Sequence, residues 1–161
     1  MRRHGFIRGL KVALIQNKKA RFDYTIEDKY EAGLVLQGWE VKSIREGRAQ
    51  ITEAHIFVRE GELFLLNAQV VPLSTASTHE KPQPTRTRKL LMHKKEIMRI
   101  IGLIERSGYT LVPLDMHFKG GKVKLTIGLA KGKRKFEKRA EESKRDWKRE
   151  QQRLMKKKMR N

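Results

Sequence analysis

Lysine and arginine are the residues of this sequence with the numbers and spacing to do chemistry, and that chemistry is phosphate neutralisation. They fall in separate clusters: Arg2-Arg3, Lys18-Lys19-Arg21, Arg86-Arg88-Lys89, Lys94-Lys95, and the last stretch, Lys131–Asn161. The 161 residues carry 38 Lys and Arg against 18 Asp and Glu, a formal net charge of +20. Charge of one sign over both halves of the chain points to a polyanionic partner, most simply nucleic acid. Several clusters on one small body suit a folded RNA with several phosphate ridges better than a straight duplex. Each neutralised phosphate steepens the fall of log affinity with log salt by about 0.7–0.9, and adds no sequence preference.

Catalytic patterns are weak by comparison. The histidines, His4, His55, His79, His93 and His117, include no i, i+4 pair and no HExxH spacing. His55 and His117 fall on strand faces opposite the core, so solvated or RNA-facing rings are expected. No Gly-rich phosphate loop ending in Lys-Ser or Lys-Thr occurs, and Gly120-Gly121 reads as a hairpin turn. Zero cysteines exclude disulfides, thiolate catalysis and Cys-based zinc sites. Asp23, Glu27 and Glu31 share a strand face, but at about 7–14 Å apart they are wide for one shared magnesium. The expectation is no catalytic residue, no metal and no cofactor; a metal-dependent nuclease on that face is the enzymatic alternative. A lone Glu31 has two readings. It pairs with a cation across strands, or it accepts hydrogen bonds from RNA hydroxyl or base N–H groups.

The elements that must position these residues follow from periodicity. Phe22, Tyr24, Ile26, Tyr30, Ala32, Leu34 and Leu36 share one parity, which predicts one long strand with a bulge near Asp28-Lys29. Gly38–Gly47 loses that period and reads as a short helix capped by Gly47. Ala54, Ile56 and Val58, then Phe64, Leu66, Ala68 and Val70, flank a Glu60-Gly61 turn and read as a hairpin. A polar loop spans Leu73–Thr85. Thr85 or Thr87 is expected to cap a helix with Leu90, Ile97, Ile101 and Ile104 on one face and Leu91 beside it, ending at Ser107-Gly108. Val112–Phe118 and Val123–Leu129 close the body as a second hairpin. This order predicts a mainly β fold, a closed antiparallel oligonucleotide-binding-type barrel of five or six strands with two or three helices. An α+β half-barrel or open sheet with the same order is the alternative. Residues 1–130 form the expected RNA-binding domain and 131–161 a basic C-terminal tail.

The tail holds 15 Lys and Arg against five acids. On a helix at about 100° per residue, Phe136, Ala140, Ser143, Trp147, Gln151 and Leu154 form a thin uncharged stripe. So narrow a stripe does not hold a helix alone in water. The tail is expected to be disordered when free and helical against a polyanion. No apolar run approaches the ~20 residues that span a bilayer. Lys11 interrupts the apolar patch after Arg2-Arg3, which argues against a signal peptide. A cytoplasmic protein with no membrane partner is expected.

Four blocks then become specific: NKKARFDY at 17–24, EAGLVLQGWEVKS at 31–43, PTRTRKLL at 84–91 and GLAKGKR at 128–134. In order and spacing they resemble the small protein B family, the SsrA-binding proteins that partner transfer-messenger RNA in bacterial trans-translation. The resemblance runs from about Asn17 to the end. It implies a barrel that binds the tRNA-like domain of that RNA and delivers it to stalled ribosomes as a monomer. The positions it implies on the RNA surface are Asn17, Lys19, Glu31 and Leu91; the charge clusters add Lys18, Arg21, Arg86, Arg88 and Lys89. It implies that the tail works on small-subunit ribosomal RNA at the decoding centre and in the empty messenger channel. The matching tail positions are Gly132, Lys133, Arg134, Lys138, Arg139, Trp147, Leu154 and Met155. Glu137 stands where members commonly have Asp, which keeps the charge and lengthens the reach by one methylene. Phe22 stands where some members have His, so a histidine's role there does not carry over. A structural ribosomal protein that threads its tail through ribosomal RNA is the other non-catalytic reading.

Overall fold

The computed structural model describes residues 13–73, 81–132 and 135–160. Its elements run β1 (Ala13–Gln16), α1 (Lys18–Asp23), β2 (Tyr24–Leu34), α2 (Gly38–Arg45), β3 (Ala49–Gln50), β4 (His55–Arg59) and β5 (Glu62–Leu66). Then follow β6 (Gln69–Val70), β7 (Arg88–Leu91), α3 (Lys94–Ser107), β8 (Thr110–Lys119), β9 (Lys122–Gly132) and α4 (Lys135–Arg160). Seven strands form an antiparallel sheet in the order β1-β8-β9-β2-β7-β5-β4, and β3 pairs with β6 apart from it.

The expected closed barrel is not formed among the described residues. Closure needs the two edge strands to share a ladder. Here β1 is four residues long and pairs with β8, while β4 lies against β8 without pairing to it. The chain is mainly β, with one seven-stranded sheet and four helices among the described residues.

Two bulges decide which residues face the core. The β2–β9 pairing slips between Ile26 and Asp28, which makes Glu27 the extra residue. The β8–β9 pairing slips between Pro113 and Asp115, which makes Leu114 the extra one. Each extra residue flips the alternation that follows it. Before the bulges, Tyr24, Ile26, Val112 and Leu114 pack with Ala20 and Ala130 in a small cluster. After them, Tyr30, Ala32, Leu34, Met116 and Phe118 pack in the main core, with Val123, Leu125, Ile127 and Leu129 of the unbulged β9. Gly128 lies under the small cluster. A Cβ there would come 3.1 Å from Leu114 Cδ1 and 3.2 Å from Ile26 Cδ1. The expected bulge near Asp28-Lys29 is therefore real and sits one residue earlier.

Two element boundaries differ from expectation. The strand expected from Phe22 begins at Tyr24, because residues 18–23 form α1. The Asn17 side chain caps this helix, accepting from the Ala20 N–H at 3.1 Å. Its amide is held in turn by the carbonyls of Ile51 (3.2 Å) and Pro113 (2.9 Å). The second difference is larger. Residues 88–91, expected as the first turn of a helix, form β7, and α3 begins at Lys94 after the N-cap His93. Leu90 matches the helical spacing of Ile97 and Ile104, but β7 lies between β2 and β5 and gains backbone partners on both sides. Tertiary pairing outweighs helix propensity of a few tenths of a kcal/mol per residue.

A buried charge cluster fixes β7 in that slot. Glu40 of α2 is fully buried and accepts short hydrogen bonds from Arg86 and Arg88, and one from the Gln37 N–H at 2.8 Å. Arg88, also fully buried, donates to the carbonyls of Ala68 (2.9 Å), Arg86 (2.9 Å) and Pro84 (3.2 Å). Burial alone would raise the Glu40 pKa. The hydrogen bonds from Arg86 and Gln37 and the charge of Arg88 outweigh it and hold the carboxyl below its usual value.

A depressed carboxylate pKa adds stability above its unfolded value, and that stability drains away as pH falls through the folded value. Glu40→Gln strands Arg88 without an anion and is expected to cost about 3–5 kcal/mol at neutral pH. Urea denaturation across acid pH measures both effects. The variant should also lose part of the wild-type decline in stability below the ordinary carboxylate range. Near-wild-type stability would show that the cluster does not hold β7.

Candidate nucleic-acid interface

Beyond the bulges, the sheet face turned away from the main core carries Glu31 and Gly33 of β2, Lys124 and Thr126 of β9, and Asp115, His117 and Lys119 of β8. Register sets the neighbours. Glu31 and Asp115 both lie opposite Thr126, His117 opposite Lys124, and Gly33 between Lys124 and Leu91. A Cβ on Gly33 would sit 3.3 Å from Leu91 Cβ and 3.7 Å from Lys124 Nζ. The absent side chain lets Leu91 lie over the strand, where it stays 50% exposed. Glu31 and Leu91, sixty residues apart in sequence, thus share one face. Lys89 continues it on β7, opposite Phe64, whose ring stacks on Phe57 with centroids 5.4 Å apart.

This face is charged but internally ordered. Lys119 Nζ donates to Glu31 Oε1 at 3.2 Å, and His117 Nε2 lies 3.0 Å from Glu31 Oε2. His117 Nδ1 lies 2.9 Å from Asp115 Oδ1, which also accepts from the Thr126 hydroxyl at 2.9 Å. Arg21 of α1 approaches Asp115 Oδ2 at 4.0 Å. His117, expected to be solvated or RNA-facing, is instead buried at 1% exposure. Its face is indeed opposite the main core, but the ring lies between Asp115 and Glu31. His55 is exposed as expected.

Two expected RNA contacts are withdrawn from the surface. Asn17 is 2% exposed and spends its side chain on the α1 cap and two carbonyls. Arg88 is fully buried against Glu40. Both act beneath the surface: Asn17 holds α1 so that Lys18, Lys19 and Arg21 point outward, and Arg88 holds the strand that presents Lys89 and Leu91. Arg86 is largely engaged with Glu40 and the Val35 carbonyl. Lys19 pairs with Glu53 at 3.3 Å and Lys89 with Glu62 at 3.0 Å. Such exposed pairs are weak and yield readily to phosphate.

The acidic face needed for a nuclease is not assembled. Asp23 lies in α1 and pairs with Lys138 at 3.2 Å. Glu27, the bulge residue, accepts a short hydrogen bond from the Tyr109 hydroxyl, a bond that raises the Tyr109 pKa. Glu31 belongs to the His117 network. Among the described residues, no group of three or more His, Asp and Glu is arranged to hold a metal ion. His117, Asp115, Lys119, Lys124 and Thr126 went unread in the sequence as one site with Glu31. Nothing local marks Leu114 as a bulge, and without it the parity of Asp115 and His117 cannot be related to β2.

The tail follows directly. Strand β9 runs to Gly132, and Lys133 and Arg134 lie outside the described residues. From Lys135 to Arg160 the chain is one helix of 26 residues, which includes Glu137. Its contacts with α1 include Lys138 on Asp23 and the Arg145 guanidinium 4.9 Å above the centre of the Phe22 ring. At about 100° per residue, Trp147 projects about 180° from Lys138 and about 160° from Arg145. Trp147 and Leu154 are therefore more than half exposed, with Met155 beside them, on the side away from α1. Arg139 is exposed as well.

The family model described as SmpB protein matches residues 14–157. The chain is 58% identical to an SsrA-binding protein of Nitrosomonas europaea, over 89% of this chain and 95% of the relative. It is 61% identical to one of Azoarcus sp., over 89% and 97%. Among solved structures it resembles one described as "tmRNA-SmpB: a journey to the center of the bacterial ribosome", with a TM-score of 0.61 and 43% identity. That match covers 74% of this chain and 84% of the other.

The α1–α4 contact makes its own prediction. Phe22→Ala with Asp23→Asn removes a cation–π contact and an ion pair, each worth about 0.5–1 kcal/mol. Amide exchange in the first turns of α4 should then accelerate severalfold, with the sheet unaffected. Unchanged exchange would mean that α1 does not hold the tail.

Proposed function

The chain belongs to the SmpB protein family, and on that premise we propose that it is an RNA-binding adaptor of trans-translation. It binds the tRNA-like domain of transfer-messenger RNA and delivers it to stalled ribosomes. The observation that carries this reading is the meeting of Glu31 and Leu91 on one sheet face, bordered by Lys89, Lys119 and Lys124 and joined to α1 through Arg21. An apolar side chain and an acceptor among cations suit a folded RNA better than a bare phosphate surface would. The cations attract the backbone, Leu91 packs on a base or sugar, and Glu31 accepts from a donor. The sheet is read as a relative of the oligonucleotide-binding architecture, a reading supported by the approach of β4 to β8.

The tail carries the ribosomal half of the role. Gly132, Lys133, Arg134, Glu137, Lys138 and Arg139 act at the decoding centre, and the helix carrying Trp147, Leu154 and Met155 occupies the empty messenger channel. Two features support this. The apolar stripe points away from the body, and the tail's charge suits a channel walled by ribosomal RNA. Away from the ribosome the helix is held by α1 near its start, and its stripe stays uncovered until ribosomal RNA meets it. The protein works as a monomer in the cytoplasm and without catalysis. No described helix is long and apolar enough to cross a membrane.

Leu91→Asp and Glu31→Ala should each weaken binding to the tRNA-like RNA about tenfold, roughly 1.4 kcal/mol, in filter-binding or fluorescence titrations. Wild-type affinity in folded variants would overturn the assignment of this face. A chain ending at Gly132 should keep that affinity within a few fold at physiological salt yet fail to support peptide tagging on stalled ribosomes. Normal tagging would overturn the division of labour between body and tail.

A further inference from the structure

We propose that His117 is a positioning residue for RNA recognition: together with Asp115 and Thr126 it holds Glu31 as a fixed hydrogen-bond acceptor for a hydroxyl or N–H donor of the RNA. The inference rests on reading Glu31 as an RNA contact. His117 is an unusual residue for its place, since it is 1% exposed yet contributes nothing to either apolar cluster. Both of its ring nitrogens face carboxylates, Nδ1 toward Asp115 at 2.9 Å and Nε2 toward Glu31 at 3.0 Å. A carboxylate oxygen accepts from whichever ring nitrogen carries a proton, so either tautomer ties the ring to one of the two acids. The imidazole stands between two acids on different strands.

The chain of support runs inward to outward. Asp115 is fixed by the Thr126 hydroxyl at 2.9 Å, with Arg21 near its second oxygen at 4.0 Å. Asp115 fixes the ring, and the ring fixes Oε2 of Glu31. Lys119 takes Oε1 at 3.2 Å, and the Glu31 side chain keeps 24% exposure. An unsupported glutamate samples several rotamers and must be ordered when it binds. Here the ordering is done before RNA arrives, which is how a buried supporting shell improves a contact. The clamp also shapes selectivity. A carboxylate held on a cationic face repels phosphate and accepts only donors, so this spot favours a sugar or base edge where the surrounding lysines favour backbone.

The competing explanation is a staple that merely ties β2 to β8. The experiment compares Glu31→Gln, His117→Leu, His117→Gln and the Glu31→Gln/His117→Leu pair. Each is measured for melting temperature and for affinity toward the tRNA-like RNA at fixed salt and pH. Glu31→Gln should weaken binding at least fivefold, and His117→Leu should match it within about twofold. The double variant should be no weaker than either single, and His117→Gln, which keeps an N–H donor, should recover most of the loss. Wild-type affinity in Glu31→Gln would overturn the reading of Glu31 itself. Wild-type affinity in His117→Leu beside a weakened Glu31→Gln would overturn the clamp alone, as would additive losses in the pair. Should His117→Leu fail to fold, Thr126→Val removes only the hydroxyl on Asp115. It should weaken binding at least twofold, and a lowered melting temperature with unchanged affinity would overturn the clamp.

Discussion

The buried pairing of Glu40 with Arg88 is the constraint on which the rest of the arrangement depends. An arginine is almost never fully buried unless an anion meets it, because uncompensated burial of the charge costs several kcal/mol. Glu40 meets it from α2, and three backbone carbonyls accept from three more of its N–H groups. The pair commits residues 88–91 to a strand between β2 and β5. Alternation then turns Lys89 and Leu91 outward. A cation sequestered in the interior thus determines where another cation and an exposed leucine reach the surface.

The second constraint is geometric. Bulges at Glu27 and Leu114 each insert one residue, on strands that flank the unbulged β9. Paired in this way, they change the buried face of both strands, at levels three residues apart along β9. One end of the outer face is apolar and is covered by α1; the rest is polar and carries Glu31, Asp115 and His117. A bulge on β2 alone would leave these acids on opposite sides of the sheet. The polar network is thus a consequence of two matched irregularities, and it joins α1 to the sheet through Arg21 as well as through Ala20.

Charge plays two distinct parts here. Within the body, most basic side chains near the face already have acidic neighbours: Lys19 with Glu53, Lys89 with Glu62, Lys119 with Glu31. Such pairs restrain the cations without consuming much free energy, and phosphate can replace the acid. Along the tail helix the five acids all fall between Glu137 and Glu150, and the end from Arg153 to Arg160 is purely cationic beside the apolar stripe. The body therefore suits recognition of a shaped surface, and the tail suits a confined anionic passage. The contact of α1 with α4 joins the two and aims the stripe away from the body.

The sequence by itself determined the charge distribution, the tail's stripe of Trp147 and Leu154, a short helix from Gly38, both hairpin turns and the family blocks. Each of these is a local property: a count, a period, a turn residue or a contiguous motif. The tertiary structure alone decided that Arg88 and Asn17 lie beneath the surface, that residues 88–91 leave the helix, that the seven-stranded ladder stays open, and that His117 stands between Asp115 and Glu31. The reason is that a bulge is defined by the strand it pairs with, and a buried charge by a distant counterion. Neither partner lies within the stretch whose pattern is being read. That Glu31 points away from the core was legible; its meeting with Leu91 across Gly33 was not.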